Sequence, residues 1–409
     1  MAKKLSEYAE VVGQDVLDEL DAIAGRVRHK KLQNINSTAV GGGVAEILSR
    51  MVPLLQELGI EATWDVIKGN DAFFAVTKAF HNALHGTPEQ ITPEMFEVYR
   101  STVEDNACTL AVTGDVVICH DPQPAPLIDL KPAAGRQWVW RCHIDLSAPQ
   151  HDVWEFLRPW VERYDAAVFS MPSFAQELNI PQYLVHPSID PLADKNKDLD
   201  AGFIGEVLNK HGIDPQRPVV TQISRFDRLK DPVGVMAAYR MAKRRYDCQL
   251  VLAGGGASDD PEGEQVLAEV QEQAADDPDI HVLLLPPFSD LEINALVRGS
   301  TIVMQKSIRE GFGLTVSEAL WKGKPVIGGA VGGIRLQVVE GETGFLVRSV
   351  EGAANRLMRL LGDRDLRERM GRNGHLFVKN NFLLTRHVKD YLLLMSALDH
   401  PQENVIHLG

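Results

Sequence analysis

The chain has 409 residues, 44% apolar and 24% charged, which excludes disordered and fibrous classes. At roughly 150 residues per domain, two or three domains are expected, with two the better fit. Lys plus Arg total 42 against 56 for Asp plus Glu, a net charge of −14. That balance argues against a nucleic-acid backbone or a membrane surface as partner, and leaves a phosphate-bearing ligand only a local cationic pocket. The four cysteines, Cys108, Cys119, Cys142 and Cys248, form no C-x-x-C pair, so neither a zinc site nor a disulfide framework is expected, and a reduced cytoplasmic compartment fits best. Residues 1–28 hold no apolar h-region and no run of about 18 apolar residues occurs, so secretion and membrane spanning are disfavoured.

Residues 5–28 read as one amphipathic helix, since Leu5, Tyr8, Val12, Val16, Leu20 and Ile23 recur at three- and four-residue steps. A short strand, a turn with Gly41, Gly42 and Gly43, and a helix ending near Gly59 follow. EATWDVIKG is the next strand, and residues 71–108 are mostly helical. Strands are expected at 115–119, in RQWVWRCH, in AAVFSM and in YLVHPSI, with DVWEFLRPWVERY as a helix among them. The charged, Pro-interrupted stretch 190–217 is read as the connection between domains. The alternation then restarts with PVVTQISRF, a helix, CQLVLAGGG, HVLLLPPF, TIVMQKS, the helix TVSEALWKG, KPVIGG and GETGFLVRS, and two helices close the chain. Short apolar strands alternating with helices predict two parallel α/β units. In such sheets ligands bind beyond the carboxyl ends of the strands.

The sharpest segment is SIREGFGLTVSE, residues 307–318, where a strand end, a Gly-rich turn and a helix start meet. Gly311 and Gly313 permit a tight turn, and the helix start near Leu314 offers unpaired N–H groups to an anion. Glu310 in the turn and Glu318 one turn into the helix suit hydrogen bonding to sugar hydroxyls; equally, they are solvated glutamates. Arg225, Arg228 and Lys230 follow another strand. Arg225 and Lys230 suit one diphosphate, at roughly 1.5–3 kcal/mol per charge-assisted bond; the alternative is surface ion pairing with Asp227 and Asp231. The three glycines at 41–43 match neither a dinucleotide fingerprint nor a P-loop, and a tight turn explains them as well. Asp121, Gln123, Arg141 and His143 lie at two strand ends and supply hydrogen bonds for a sugar, while His120 or His143 is also readable as a core histidine. No His/Cys spacing supports a metal site. The turn with Gly254, Gly255, Gly256, Asp259, Asp260 and Glu262 reads as an exposed strand end. Leu285 and its neighbours mark where a nucleotide base would lie against backbone groups.

Together these features resemble the retaining glycosyltransferases of the GT-B fold, family four of the usual sequence classification. The family's two glutamates separated by seven residues match Glu310 and Glu318, its Arg and Lys match Arg225 and Lys230, and its glycine turn matches the one at 41–43. The runs INSTAVGGGVAEIL, HDPQPAPLI, WRCHIDLS, SIDPL, SIREGFGLTVSEALWKGKPVIG and AVGGI further resemble the trehalose glycosyltransferring synthases within it. The resemblance implies two Rossmann-like domains facing each other across a deep cleft: 1–195, rejoined by the last helix at about 386–409, and 215–385. It implies transfer of glucose from ADP- or UDP-glucose to the anomeric hydroxyl of free glucose, giving α,α-trehalose. The donor would meet Gly42, Gly43, Arg225, Lys230, Leu285, Glu310, Gly311, Phe312, Gly313, Leu314, Thr315 and Glu318. The acceptor would meet Asp121, Gln123, Arg141 and His143. Glu310, His143, Arg225 and Lys230 would carry catalysis by a front-face mechanism with no protein nucleophile, unlike a retaining hydrolase with two flanking carboxylates. No tightly bound cofactor or metal is implied; Mg2+ would act through the diphosphate. A cytoplasmic homodimer is expected. The competing readings are a retaining trehalose phosphorylase, a sugar transferase with another acceptor such as fructose 6-phosphate, and a non-catalytic nucleotide-sugar binding protein.

Overall fold

A computed structural model of the chain describes residues 3–39, 42–132, 135–255 and 261–400. The chain divides into two compact units, Met1–Ser188 with Leu384–Gly409, and Ile189–Leu383.

The first unit is built on six parallel strands: β1 (Lys31–Asn36), β2 (Glu61–Val66), β3 (Val116–His120), β4 (Gln137–Arg141), β5 (Ala166–Phe169) and β6 (Gln182–Leu184). Their order is β2-β1-β3-β4-β5-β6. Every residue of β3 is buried, as expected for a parallel strand with helices on both faces. The chain leaves β1 toward β2 and returns on the other side at β3, so the loops after β1 and β3 flank a switch point. The last helix, Leu384–Ala397, packs on the helices Gln14–Val27 and Gly43–Glu57. It buries Leu384, Val388, Tyr391, Leu392 and Met395, an apolar stripe too wide to leave in water.

The second unit also has six parallel strands: β7 (Val219–Ile223), β8 (Gln249–Gly255), β9 (Ile280–Leu285), β10 (Ile302–Gln305), β11 (Val326–Gly329) and β12 (Gly344–Val347). Their order, β12-β11-β10-β7-β8-β9, is that of a dinucleotide-binding sheet, with its switch point between β7 and β10. Val220, Leu250, Leu252, Ile302, Met304 and Ile327 from the sheet pack against Val235, Met236, Tyr239, Leu357 and Leu360 from covering helices.

The two α/β units agree with the sequence reading, but several boundaries differ. Residues 5–28 are not one helix: a 3-10 turn (Leu5–Tyr8) and a short helix (Ala9–Val12) precede Gln14–Val27, because Gly13 sits at φ 95 and breaks the path. The stretch 190–217 is not a free connection. It belongs to the second unit and contains the helix Ala201–Lys210, capped by Asp200 and packed on the helix Asp290–Gly299. Its charges hid that helix, whose only buried residues are Val207 and Leu208. Three helices close the chain rather than two: Val350–Gly362, Arg364–Asn381 and Leu384–Ala397.

The turn after β11 carries a steric constraint on the turn after β10. Gly332 lies at φ 42, and a Cβ there would fall 1.6 Å from the Glu310 carbonyl oxygen. Gly341 also has positive φ, at 79, yet has nothing within 4 Å. Gly341→Ala is therefore expected to cost the conformational penalty alone, about 1 kcal/mol. Gly332→Ala adds a backbone collision and is expected to cost more than about 2 kcal/mol by urea denaturation. Equal losses would show that the loop yields freely.

Candidate active site

The β7 and β10 loops emerge side by side at the switch point and are joined by the Ile308 amide donating to the Leu229 carbonyl at 2.8 Å. Lys230 Nζ lies 2.7 Å from Glu310 Oε2, with the side chains only 19% and 10% exposed. Ser307 Oγ donates to the same carboxylate oxygen at 3.1 Å, and Gln305 Nε2 donates to Ser307 Oγ at 3.2 Å. Behind Lys230, Gln222 Nε2 holds the Lys230 carbonyl at 2.7 Å. Asp231, at φ 51, caps the helix Pro232–Lys243 through the Gly234 amide at 3.0 Å and forms an ion pair with Lys306. The left-handed residue thus turns the chain while its carboxylate bolts one loop to the other. Partial burial strengthens these pairs relative to exposed ones.

The helix Leu314–Trp321 starts beside this pair. Its N-cap is Gly313 at φ 81, and no side chain caps it. The positive end of its dipole and the Leu314 and Thr315 amides suit an anion. Arg225, 61% exposed in its side chain, lies 3.5 Å from Asp227 and can swing toward a ligand. Lys230, Arg225 and the helix start are groups of the kind that can hold a phosphate, and Glu310 is an acceptor of the kind that hydroxyl groups can meet.

In the first unit, β3 ends in His120 and β4 in Arg141. His120 Nδ1 lies 3.1 Å from His143 Nε2, and His120 Nε2 lies 3.0 Å from Asn34 Oδ1 on β1. Burial, helped by the nearby Arg141 charge, pushes His120 down to about 3. Burial likewise holds His143 well below the ordinary imidazole range, with Arg141 and His120 adding to it. Asp121, at φ 66, accepts the His143 amide on Oδ1 at 2.7 Å, while its carbonyl accepts Trp140 Nε1 at 3.0 Å. Burial pushes the Asp121 carboxyl up to about 6, against the opposing pull of the His143 amide and Arg141.

Several expected site residues are buried, and one of them, Arg141, takes another place. Arg141 is fully buried and donates to the Val185 carbonyl at 2.7 Å and to Ser170 Oγ at 3.2 Å. It therefore braces β4 against β5 and β6 instead of presenting its guanidinium to an acceptor sugar. Glu318 has a side chain only 3% exposed, with Lys195 Nζ 3.6 Å away. Phe312 is buried against Phe382, centroids 5.6 Å apart, and Leu285 is 4% exposed, so both offer backbone rather than side chain. Gln123 keeps its Oε1 buried without a hydrogen-bond partner. Gly42, at φ 82, caps the helix Gly43–Glu57; Gly41 and residues 256–260 lie outside the described residues. Ser307, Asn34 and Lys195 were not singled out from sequence. Asn34 and Lys195 reach their partners across 86 and about 120 positions, where no spacing pattern exists. Among the described residues no group of three or more His, Cys, Asp or Glu gathers to hold a metal, and no helix is long and apolar enough to cross a membrane.

The raised Asp121 carboxyl has a stability consequence. Folded Asp121 binds its proton up to about pH 6, whereas an unfolded aspartate loses it near pH 3.9. Between those values the folded state holds more protons, so this group's contribution falls as pH rises. An asparagine side chain tolerates the left-handed backbone and can still accept the His143 amide. The stability of wild type minus that of Asp121→Asn is expected to be larger at pH 4 than at pH 7, by up to about 2–3 kcal/mol. Parallel pH profiles of the two proteins in urea titrations would remove this role for Asp121.

The fold agrees with comparison to known proteins. Residues 34–176 match the family model described as "Trehalose synthase, N-terminal domain", and residues 204–377 match "Glycosyl transferases group 1". A trehalose synthase of Thermococcus litoralis is 45% identical over 401 residues, covering 97% of each chain. A trehalose phosphorylase of Pleurotus pulmonarius is 31% identical over 396 residues, covering 84% of this chain and 54% of its own. Among solved structures, a UDP-forming α,α-trehalose-phosphate synthase from Burkholderia xenovorans superposes with a TM-score of 0.72 at 13% identity, covering 90% of this chain and 100% of that one, a likeness of fold alone. With two parallel sheets of the matching kind and close relatives along nearly its whole length, the chain belongs to the trehalose synthase family of GT-B glycosyltransferases, enzymes of trehalose metabolism.

Proposed function

We propose that the protein transfers glucose, with retention at the anomeric carbon, from ADP- or UDP-glucose to the anomeric hydroxyl of free glucose, releasing α,α-trehalose and a nucleoside diphosphate. The observation that carries this reading is the Lys230–Glu310 pair beside an uncapped helix start. A cation for a diphosphate and a carboxylate for sugar hydroxyls therefore stand side by side, as the adjoining diphosphate and sugar of a nucleotide-sugar would require.

On this reading Lys230, Arg225 and the Leu314 and Thr315 amides hold the diphosphate, and Gly42 and Gly43 offer further backbone N–H groups to it. Glu310 and the backbone of Gly311, Phe312 and Gly313 hold the donor glucose. Glu318, oriented by Lys195, takes the ribose hydroxyls, and the Leu285 backbone meets the base. His143 bonds the donor sugar, and Asp121 and Gln123 serve the acceptor. Asp121 has one oxygen occupied by the His143 amide, which leaves the other for a hydroxyl. The anomeric C–O bond to the diphosphate breaks as the acceptor oxygen bonds to the same face, and the acceptor's proton passes to the departing phosphate oxygen. Stabilising that growing charge is the work of Lys230, Arg225 and the helix dipole. Mg2+, where it takes part, travels on the diphosphate.

The likeness to a trehalose phosphorylase favours one second reading, in which inorganic phosphate occupies the Lys230 site. A product assay decides between them. Incubation with glucose and a panel of nucleotide-glucoses is expected to give a non-reducing disaccharide in step with nucleoside diphosphate. Glucose 1-phosphate from trehalose plus phosphate, with no disaccharide from any donor, would establish the phosphorylase instead. In the active direction Arg225→Ala and Lys230→Ala are each expected to lower kcat/KM by about 10- to 100-fold. Only Lys230→Ala should also lower stability, by about 1–3 kcal/mol, because it strands the Glu310 carboxylate. Wild-type kcat/KM in both variants would remove the diphosphate assignment.

A further inference from the structure

The first unit contains a hydrogen-bonded chain whose polarity follows from its inner end. Asn34 is fully buried on β1, and its Nδ2 points to the Thr63 carbonyl at 3.4 Å. That contact orients the amide so that Oδ1 faces His120 Nε2 at 3.0 Å. A carboxamide oxygen only accepts, so His120 carries its proton on Nε2. A neutral imidazole has one N–H, so His120 Nδ1 is a bare acceptor. His143 Nε2, 3.1 Å away, must then be the donor, and His143 Nδ1 is left with a lone pair and no proton.

We infer that Asn34 and His120 are positioning residues that lock His143 in the Nε2–H tautomer, so that its Nδ1 can only accept a hydrogen bond. The inference builds on the assignment of His143 to a sugar and deepens it. The hydroxyl that meets His143 has to donate its proton, and a substituent that cannot donate is rejected at that position. Neutrality of the pair is essential to the chain. A charged His120 would donate from both nitrogens and reverse the polarity of the outer bond. The surroundings oppose that charge: His120 is 1% exposed, and Arg141 is close enough to both imidazoles to disfavour it. His143 sits at the outer end, partly exposed, held by its own amide on Asp121 Oδ1 at 2.7 Å. Among the described residues its Nδ1 makes no hydrogen bond, which leaves it available to a ligand.

The sequence alone leaves both histidines readable as core residues. Asn34 is the residue that makes the difference, because an amide oxygen at the inner end has a fixed sense that a water molecule or hydroxyl lacks.

The test has two arms that fail separately. Nitrogen-15 NMR of the full chain labelled at histidine, with His143→Gln as the assignment control, reads the tautomer directly. The expected spectrum shows a protonated Nε2 and an unprotonated Nδ1 for His143, and the reverse pattern overturns the inference. The kinetic arm compares His120→Asn with His120→Leu. The asparagine substitution presents an amide oxygen close to the lost Nδ1 and keeps an acceptor for His143, whereas the leucine substitution does not. His120→Asn is expected to retain kcat/KM within about threefold, and His120→Leu to lose about tenfold or more, the worth of one hydrogen bond. Wild type is also expected to discriminate about tenfold against one position in a series of deoxyfluoro-glucoses, and His120→Leu to lose that discrimination. An asparagine variant as impaired as the leucine variant overturns the tautomer lock. The expected tautomer together with unchanged kinetics in His120→Leu overturns the positioning role and locates the failure in the assignment of His143 to the sugar.

Discussion

Strands β7 and β10 lie side by side although some eighty residues separate the cation and the carboxylate that follow them, and the site of the second unit depends on that adjacency. A parallel sheet can place neighbours of this kind only where the chain reverses its direction of winding. There the two loops leave the sheet without a crossover helix between them. Lys230 and Glu310 meet because both loops are held short and close. Asp231 paired with Lys306 and the Ile308–Leu229 backbone bond pull these two segments together, and the Gly332 turn after β11 packs closely against the Glu310 backbone. With this bracing in place, the opposed charges are held near each other at partial burial, where their interaction is stronger than on an open surface.

The first unit repeats the logic with different chemistry. Its switch point lies between β1 and β3, and the residues that meet there are Asn34 and His120. Where the second unit pairs opposite charges, this one sets neutral imidazoles against an amide and surrounds its buried arginine with neutral acceptors. The paired imidazoles are held neutral, the fully buried Arg141 faces carbonyls and a serine, and Asp121 is pushed toward its protonated form. A region of neutral, directional donors and acceptors suits a sugar, which has no charge but many hydroxyl groups of fixed orientation. A region of cations and helix N–H groups suits a diphosphate. The contrast between the two units is therefore a contrast between the two kinds of chemistry that the proposed transfer from a nucleotide-sugar would have to recognise.

Much of this was legible in the sequence because it is local. Alternating short apolar runs and helices predicted two parallel α/β units, and the loops that follow β7 and β10 announced themselves by cations and glycines next to strand ends. What misled the reading was also local. Charge in 190–217 concealed a capped helix of the second unit, and a strand-end arginine, Arg141, was assigned to a ligand when its guanidinium turns inward. Glu318 has the spacing of a ligand-binding glutamate, and only the fold shows that its side chain is buried beside Lys195, a residue with no sequence signature of its own.

The sequence by itself determined the kind of fold, the strand-end placement of the polar loops and the residue types available for phosphate and hydroxyl recognition. Those properties follow from periodicity and side-chain chemistry within a few residues. Only the tertiary structure decided which of those residues meet. It joined Lys230 to Glu310, set Asn34 behind His120 and His143, and withdrew Arg141 into the interior. The physical reason is that strand order, not sequence distance, sets proximity in a sheet. A hydrogen bond also has a direction that appears only when both of its partners are in place.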